Sequence, residues 1–271
     1  MIIRLIVALV LSGFIVALAY WRGSLSQSGA FGALIVGTLT FGLGGWQWGI
    51  ILALFFISSS LLSHYKETEK KEVAEKFDKG HRRDIGQVFA NGGLGTTVAV
   101  LSALFPSPYW FPMFVGVMGT VTADTWATEL GTLSKNPPRL ITSGKVVPVG
   151  TSGGVTVYGT AVSLIGGFLI GFTAGLFMTS GALGFVFAVA GALGGLFGSL
   201  CDSLLGATVQ QIYYCDRCQK ETEKKIHCGQ PTRPLKGWSW MNNDLVNLLA
   251  SLFGGITAVL IYQLLIINAG L

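Results

Sequence analysis

Long apolar runs separated by short polar interruptions make up most of this chain. They recur at 2–21, 28–45, 46–63, 88–105, 109–130, 153–179, 181–210 and 240–268. Each is near the ~20 residues that an α-helix needs to cross a bilayer, so the pattern predicts about eight transmembrane helices. Gly42, Gly44 and Gly45 supply the turn inside 28–63, and Ser180 and Gly181 the turn inside 153–210. No stretch between the runs is long enough for a separate soluble domain. The expected fold is therefore an all-α integral membrane protein with one transmembrane domain, 1–271. Composition agrees: 51% of residues are hydrophobic, 11% are charged, and the mean hydropathy is +0.61. Soluble domains carry about 25% charged residues.

Charge sets the orientation. If the basic loop at about 64–87 is cytosolic, parity makes 22–27, about 131–152 and about 211–239 cytosolic too. Those segments hold 17 of the 18 lysines and arginines, all but Arg4. Such asymmetry places them inside and both termini outside, in the plasma membrane if the cell is prokaryotic. The first run ends Ala17-Leu18-Ala19, like a signal-peptidase site. Its removal would reverse the parity, so a retained helix is expected. A pI near 9.1 then reflects attraction to anionic membrane lipids and calls for no nucleic acid. The charge run after Tyr65 contains the i,i+4 pairs Glu67–Lys71, Glu72–Lys76 and Glu75–Lys79, with Val73 and Phe77 on one face. It reads as a solvated helix on the headgroups.

Four of the 13 acids lie inside or at the edge of apolar runs: Asp124, Glu129, Asp202 and Asp244. Parity puts all four near the cytosolic leaflet. Ionisable groups at membrane depth are costly and usually functional. Small residues share their helix faces, Thr120, Ala127, Thr128 and Gly131 with Asp124, and Gly195, Gly198, Ser199 and Gly206 with Asp202. Close helix packing explains the small residues but leaves the carboxylates unexplained. Asp124, Asp202 and Asp244 facing one cavity would suit Mg²⁺, which usually arrives with phosphate. Glu129 lies about 140° round the helix from Asp124 and need not be a ligand.

Four segments read as helix starts on the same side: LSQSGAFG (25–32), VFANGGLG (88–95), VGTSGGVT (149–156) and WMNNDLVN (240–247). They suggest a weak repeat of helical hairpins. Free N–H groups at helix starts bind phosphate, which makes Asn91, Gly92, Gly150, Thr151, Ser152, Gly153 and Asn243 candidates. The loop RLITSGKVVPVGTSGG (139–154) adds Lys145, and Arg83 leads towards Asn91. The loop lacks the spacing of a P-loop. Cys215, Cys218 and Cys228 form C-x₂-C-x₈-H-C with His227. Two readings stay open, a structural Zn²⁺ or reduced thiols, since adjacent His227 and Cys228 fit poorly round one tetrahedral ion. Cys201 reads as a packing residue.

The motifs RDIGQVFANG (83–92), DTWATELG (124–131), VPVGTSGGVTVYGT (147–160), DSLLGATVQ (202–210) and NNDLVN (242–247) cover most of the chain. In that order they resemble the family of integral membrane proteins containing transmembrane protein 19 and the plant phytyl-phosphate kinase. The resemblance implies transfer of a phosphoryl group, with CTP as donor, to an isoprenoid or phytyl monophosphate. It places Asp124, Glu129, Asp202, Asn243, Asp244, Gly150, Thr151 and Gly153 in the family's polar motifs. The cysteine loop departs from the pattern. On this reading the partners are an isoprenoid phosphate lipid and a nucleotide, Lys145 and Arg83 orient phosphate oxygens, and the site is at the cytosolic face. The alternative is a lipid-phosphate or small-anion transporter or flippase. The uncharged outer loop FPSPYWFP (105–112) offers such a carrier no second site.

Overall fold

The computed structural model describes residues 1–66, 69 and 82–270. The surface helix expected over the charge run, with its i,i+4 pairs, falls outside the described residues. Eight α-helices are described: α1 (Ile2–Trp21), α2 (Gln27–Leu39), α3 (Trp46–His64), α4 (Ile85–Leu104), α5 (Trp110–Gly131), α6 (Val157–Gly175), α7 (Gly181–Thr208) and α8 (Asn243–Ala269). A π turn, Thr40–Gly44, extends α2. It closes on Gly45 at φ 108°, a backbone angle that suits glycine. Seven of these spans are long and apolar enough to cross a membrane by composition.

The eighth helix, α5, is also of spanning length: its 22 residues extend about 33 Å at 1.5 Å per residue. It carries too many Thr, Asp and Glu side chains to look lipid-facing, and it does not face lipid. It touches α3, α4, α6, α7 and α8, and every residue from Phe114 to Ala123 is buried. Glycines let its neighbours close in. A Cβ on Gly195 of α7 would stand 2.7 Å from the Gly167 Cα of α6 and 2.9 Å from the Gly119 carbonyl oxygen of α5. The small-residue faces noted around both aspartates are thus crossing points of helices. Trp48, Phe111, Phe114, Phe187 and Tyr262 form an aromatic cluster towards the other end of the bundle. The outer surface exposes Phe14, Phe168, Phe172, Phe185 and Leu260, as a lipid-facing surface should.

Two of the four expected helix starts move. Helix α4 begins at Ile85, where Asp84 and Gln87 form a capping box, so Asn91 and Gly92 lie two turns inside the helix. Helix α6 begins after Thr156, whose hydroxyl accepts from the Gly159 N–H, so 149–153 is loop and Gly154–Val155 a short strand. Ser26 caps α2 and Asn242 caps α8. The start of α2 has no room for an anion. The Arg83 carbonyl fills it, accepting from the Ser26 N–H at 3.0 Å and packing directly on Gly29.

Short strands decorate the same end. β1 (Arg139–Leu140) pairs with β2 (Gly154–Val155), and β3 (Ile212–Cys215) pairs with both β4 (Lys220–Thr222) and β7 (Arg233–Lys236). β5 (Ile226–His227) pairs with β6 (Gln230–Pro231). At the opposite end, Arg4 donates to the carbonyls of Gly42 (2.7 Å) and Leu43 (3.1 Å) within the π turn. The one basic residue of the wrong parity therefore binds helix-end carbonyls.

Candidate functional site

The C-terminal ends of α3, α5 and α7 and the N-terminal ends of α4, α6 and α8 meet at one end of the bundle. They surround a cavity of about 990 Å³, bordered also by the segments at 149–156 and 210–244. Arg83, Asn91, Asp124, Glu129, Asp202, Gly150, Thr151, Ser152, Gly153, Asn243 and Asp244 all line it. Two expected residues do not. Gly92 is buried against Val36 of α2, where a Cβ would come within 2.8 Å of a methyl group. Lys145 is exposed in the β1–β2 connection and is not among the lining residues.

The carboxylates sit deepest. Asp124 accepts from Ser199, whose hydroxyl lies 3.2 Å from that of Ser163. Asp202, on the adjoining helix, feels the charges of Asp124 and Glu223. Its Oδ2 is buried with no hydrogen-bond partner among the described residues. A buried carboxylate oxygen without a donor, beside a second carboxylate, is the arrangement that a cation relieves. Asp244 faces the same cavity from the first turn of α8. A Mg²⁺ held by one or two carboxylates and completed by phosphates needs no third.

Glu129 has a different task. It accepts from Ser63 Oγ at 2.6 Å and opposes the charge of Arg83. Arg83 donates to Ser60 Oγ at 2.9 Å and lies 5.5 Å from the Phe56 ring centre. Burial draws its guanidinium down to about 10, and Glu129 acts against that pull. Glu129 thus sets Arg83 in the cavity wall.

The glycine loop is held from behind. Gly150 and Gly153 have φ of 81° and 82°, and a Cβ on Gly153 would run into Ala207 of α7. Ser152 Oγ donates to Gln210 Oε1 at 2.6 Å, and Gln210 Nε2 donates to Glu223 Oε1 at 2.8 Å and Asn243 Oδ1 at 3.4 Å. This buried amide ties the loop to α7, α8 and the cysteine segment. Through that segment the structure adds what sequence reasoning missed: Glu223, Lys224 and Lys225 line the cavity. Their one sequence signal is their place between the C-x₂-C and H-C pairs. The Sγ atoms of Cys215, Cys218 and Cys228 and a ring nitrogen of His227 all lie within 4.8 Å of one another. Backbone N–H groups of Cys218 and Arg217 and the His227 ring hold the Cys215 thiol down at about 6.

The family described as Integral membrane protein DUF92 matches residues 10–255. Protein PGR of Arabidopsis thaliana is 34% identical over 285 residues, covering 96% of this chain and 98% of the relative. An uncharacterized membrane protein of Methanocaldococcus jannaschii is 32% identical over 260 residues, covering 96% and 95%. Protein VTE6, chloroplastic, of Arabidopsis thaliana is 29% identical over 251 residues, covering 90% and 67%. No solved structure matches the chain.

Proposed function

The chain belongs to this integral membrane family, and on that premise we propose that it is a membrane-embedded phosphotransferase. It moves the γ-phosphoryl group of a nucleotide, with CTP as donor, to an isoprenoid or phytyl monophosphate and yields the diphosphate. The observation that carries this reading is the unpartnered Asp202 oxygen beside Asp124 in a cavity also walled by Arg83, Lys224 and Lys225. Anion-binding cations and a cation-seeking carboxylate pair in one chamber are what a polyphosphate with its metal requires.

Asp124 and Asp202 are the residues that would hold Mg²⁺, which when bound neutralises charge on the phosphates. Arg83, Lys224 and Lys225 attract the phosphate oxygens. The loop at 150–153, fixed by Gln210, limits where they rest. An oxygen of the lipid phosphate attacks the γ-phosphorus as the bond to the bridging β–γ oxygen breaks, and the nucleoside diphosphate leaves. The acceptor oxygen is already anionic, so position and electrostatics do the work and no general base is assigned. The prenyl chain lies in the bilayer with its phosphate at the cavity end. That end faces the cytosol, in keeping with the positive-inside rule. A cavity at one end, away from the midplane, suits an enzyme better than an alternating-access carrier.

The test incubates purified protein with γ-labelled CTP, Mg²⁺ and geranylgeranyl or phytyl phosphate. Label in the lipid diphosphate is expected. Absence of product with every nucleotide and every prenyl acceptor, in protein that carries the lipid phosphate across vesicles, would replace the kinase with a flippase.

A further inference from the structure

The cysteine segment forms two hairpin knuckles that face each other. The first turns between β3 and β4 and carries Cys215 and Cys218, with Gln219 at φ 54° just beyond. The second turns between β5 and β6 and carries His227 and Cys228, with Cys228 at φ 52° and Gly229 at φ 74°. Left-handed backbone at these positions swings neighbouring side chains to one point. That resolves the difficulty of adjacent ligands: His227 presents Nδ1 3.5 Å from Cys218 Sγ and 3.2 Å from Cys228 Sγ. A tetrahedral ion with bonds of about 2.3 Å to sulfur and about 2.0 Å to nitrogen has ligand–ligand edges of roughly 3.5–3.8 Å. The observed separations are close to that size.

We propose that Cys215, Cys218, His227 and Cys228 bind one structural Zn²⁺, which pins the segment carrying Lys224 and Lys225 against the cavity. Three thiolates and an imidazole complete a tetrahedron, leaving no open position for catalysis, and this soft donor set favours zinc. The segment needs such a clamp. Between Ile212 and Lys236 just three residues are buried, Ile212, Cys215 and Thr222, too little core to hold two hairpins. Around the cluster, Cys215 Sγ lies 3.8 Å from the His227 carbonyl, and Arg217 donates to the Cys228 carbonyl at 2.7 Å, joining one knuckle to the other. Residues 219–226 run between the two ligand pairs, so Glu223, Lys224 and Lys225 hang from the metal at both ends. The proposal does not depend on the phosphotransferase reading.

The test measures metal by mass spectrometry in the full-length protein purified under reducing conditions without added chelator. About one zinc per chain is expected, lost in Cys218→Ser and Cys228→Ser and kept in Cys201→Ser. Co²⁺ exchanged into wild type should give the intense visible bands of tetrahedral thiolate coordination. Stripping zinc from wild type should speed amide exchange across 212–236 and leave α6 and α7 protected, an outcome that needs no variant to fold. Iron in place of zinc would overturn the proposal. So would a disulfide among these cysteines, or a protein that stays metal-free after Zn²⁺ is added to reduced thiols.

Discussion

Among the described residues none donates to the buried Oδ2 of Asp202, which is a cost to the fold. Asp202→Asn removes the charge and keeps the shape. It should cut phosphoryl transfer by at least ~100-fold, the scale of losing one electrostatic stabiliser, while the melting temperature stays level or rises. The two lysine regions separate in the same assay. Lys224→Ala should raise KM for the nucleotide by roughly tenfold, about 1.4 kcal/mol of lost phosphate attraction. Lys145→Ala, exposed outside the cavity, should change it less than about twofold. Equal effects of the two would contradict the cavity assignment. Asp124 and Asp202 were legible in the sequence because a carboxylate inside an apolar run has no bland explanation. Lys224 and Lys225 were not, because a lysine in a positive-inside loop is ordinary, and only tertiary folding of the knuckles brings these two to the cavity.

At the scale of elements, periodicity and run length found all eight spans within a few residues, and the starts were the weak point. The capping box Asp84–Gln87 competes with the more conspicuous Asn91-Gly92-Gly93 and wins, because a capped N-terminus satisfies donors that a glycine pair does not. For α6, Thr156→Ala removes a cap and should cost about 1 kcal/mol, read as a lowered melting temperature with KM nearly unchanged. Gly153→Ala should be worse. It adds strain of order 1–3 kcal/mol at positive φ to a collision with Ala207, and it should shift the loop and raise KM as well. A Gly153→Ala protein with wild-type melting and kinetics would mean that the loop is free to adjust.

For the molecule as a whole, α1 ends beside Arg82, whose guanidinium lies over the Tyr20 ring, and α8 begins in the cavity wall, so both chain termini lie at the end opposite the site. With basic residues gathered at the cavity end, a reporter fused to the C-terminus in bacteria should be active as alkaline phosphatase and dark as green fluorescent protein. The reverse pattern would put the cavity outside, beyond reach of cytosolic nucleotide. The central claim is that the carboxylate pair and basic walls of this one cavity transfer phosphate to a lipid. It is tested most directly by γ-labelled CTP given to wild type and Asp202→Asn side by side, with phytyl or geranylgeranyl phosphate and Mg²⁺. The account predicts label in the lipid diphosphate with wild type and almost none with Asp202→Asn. Equal labelling by the two proteins would contradict it.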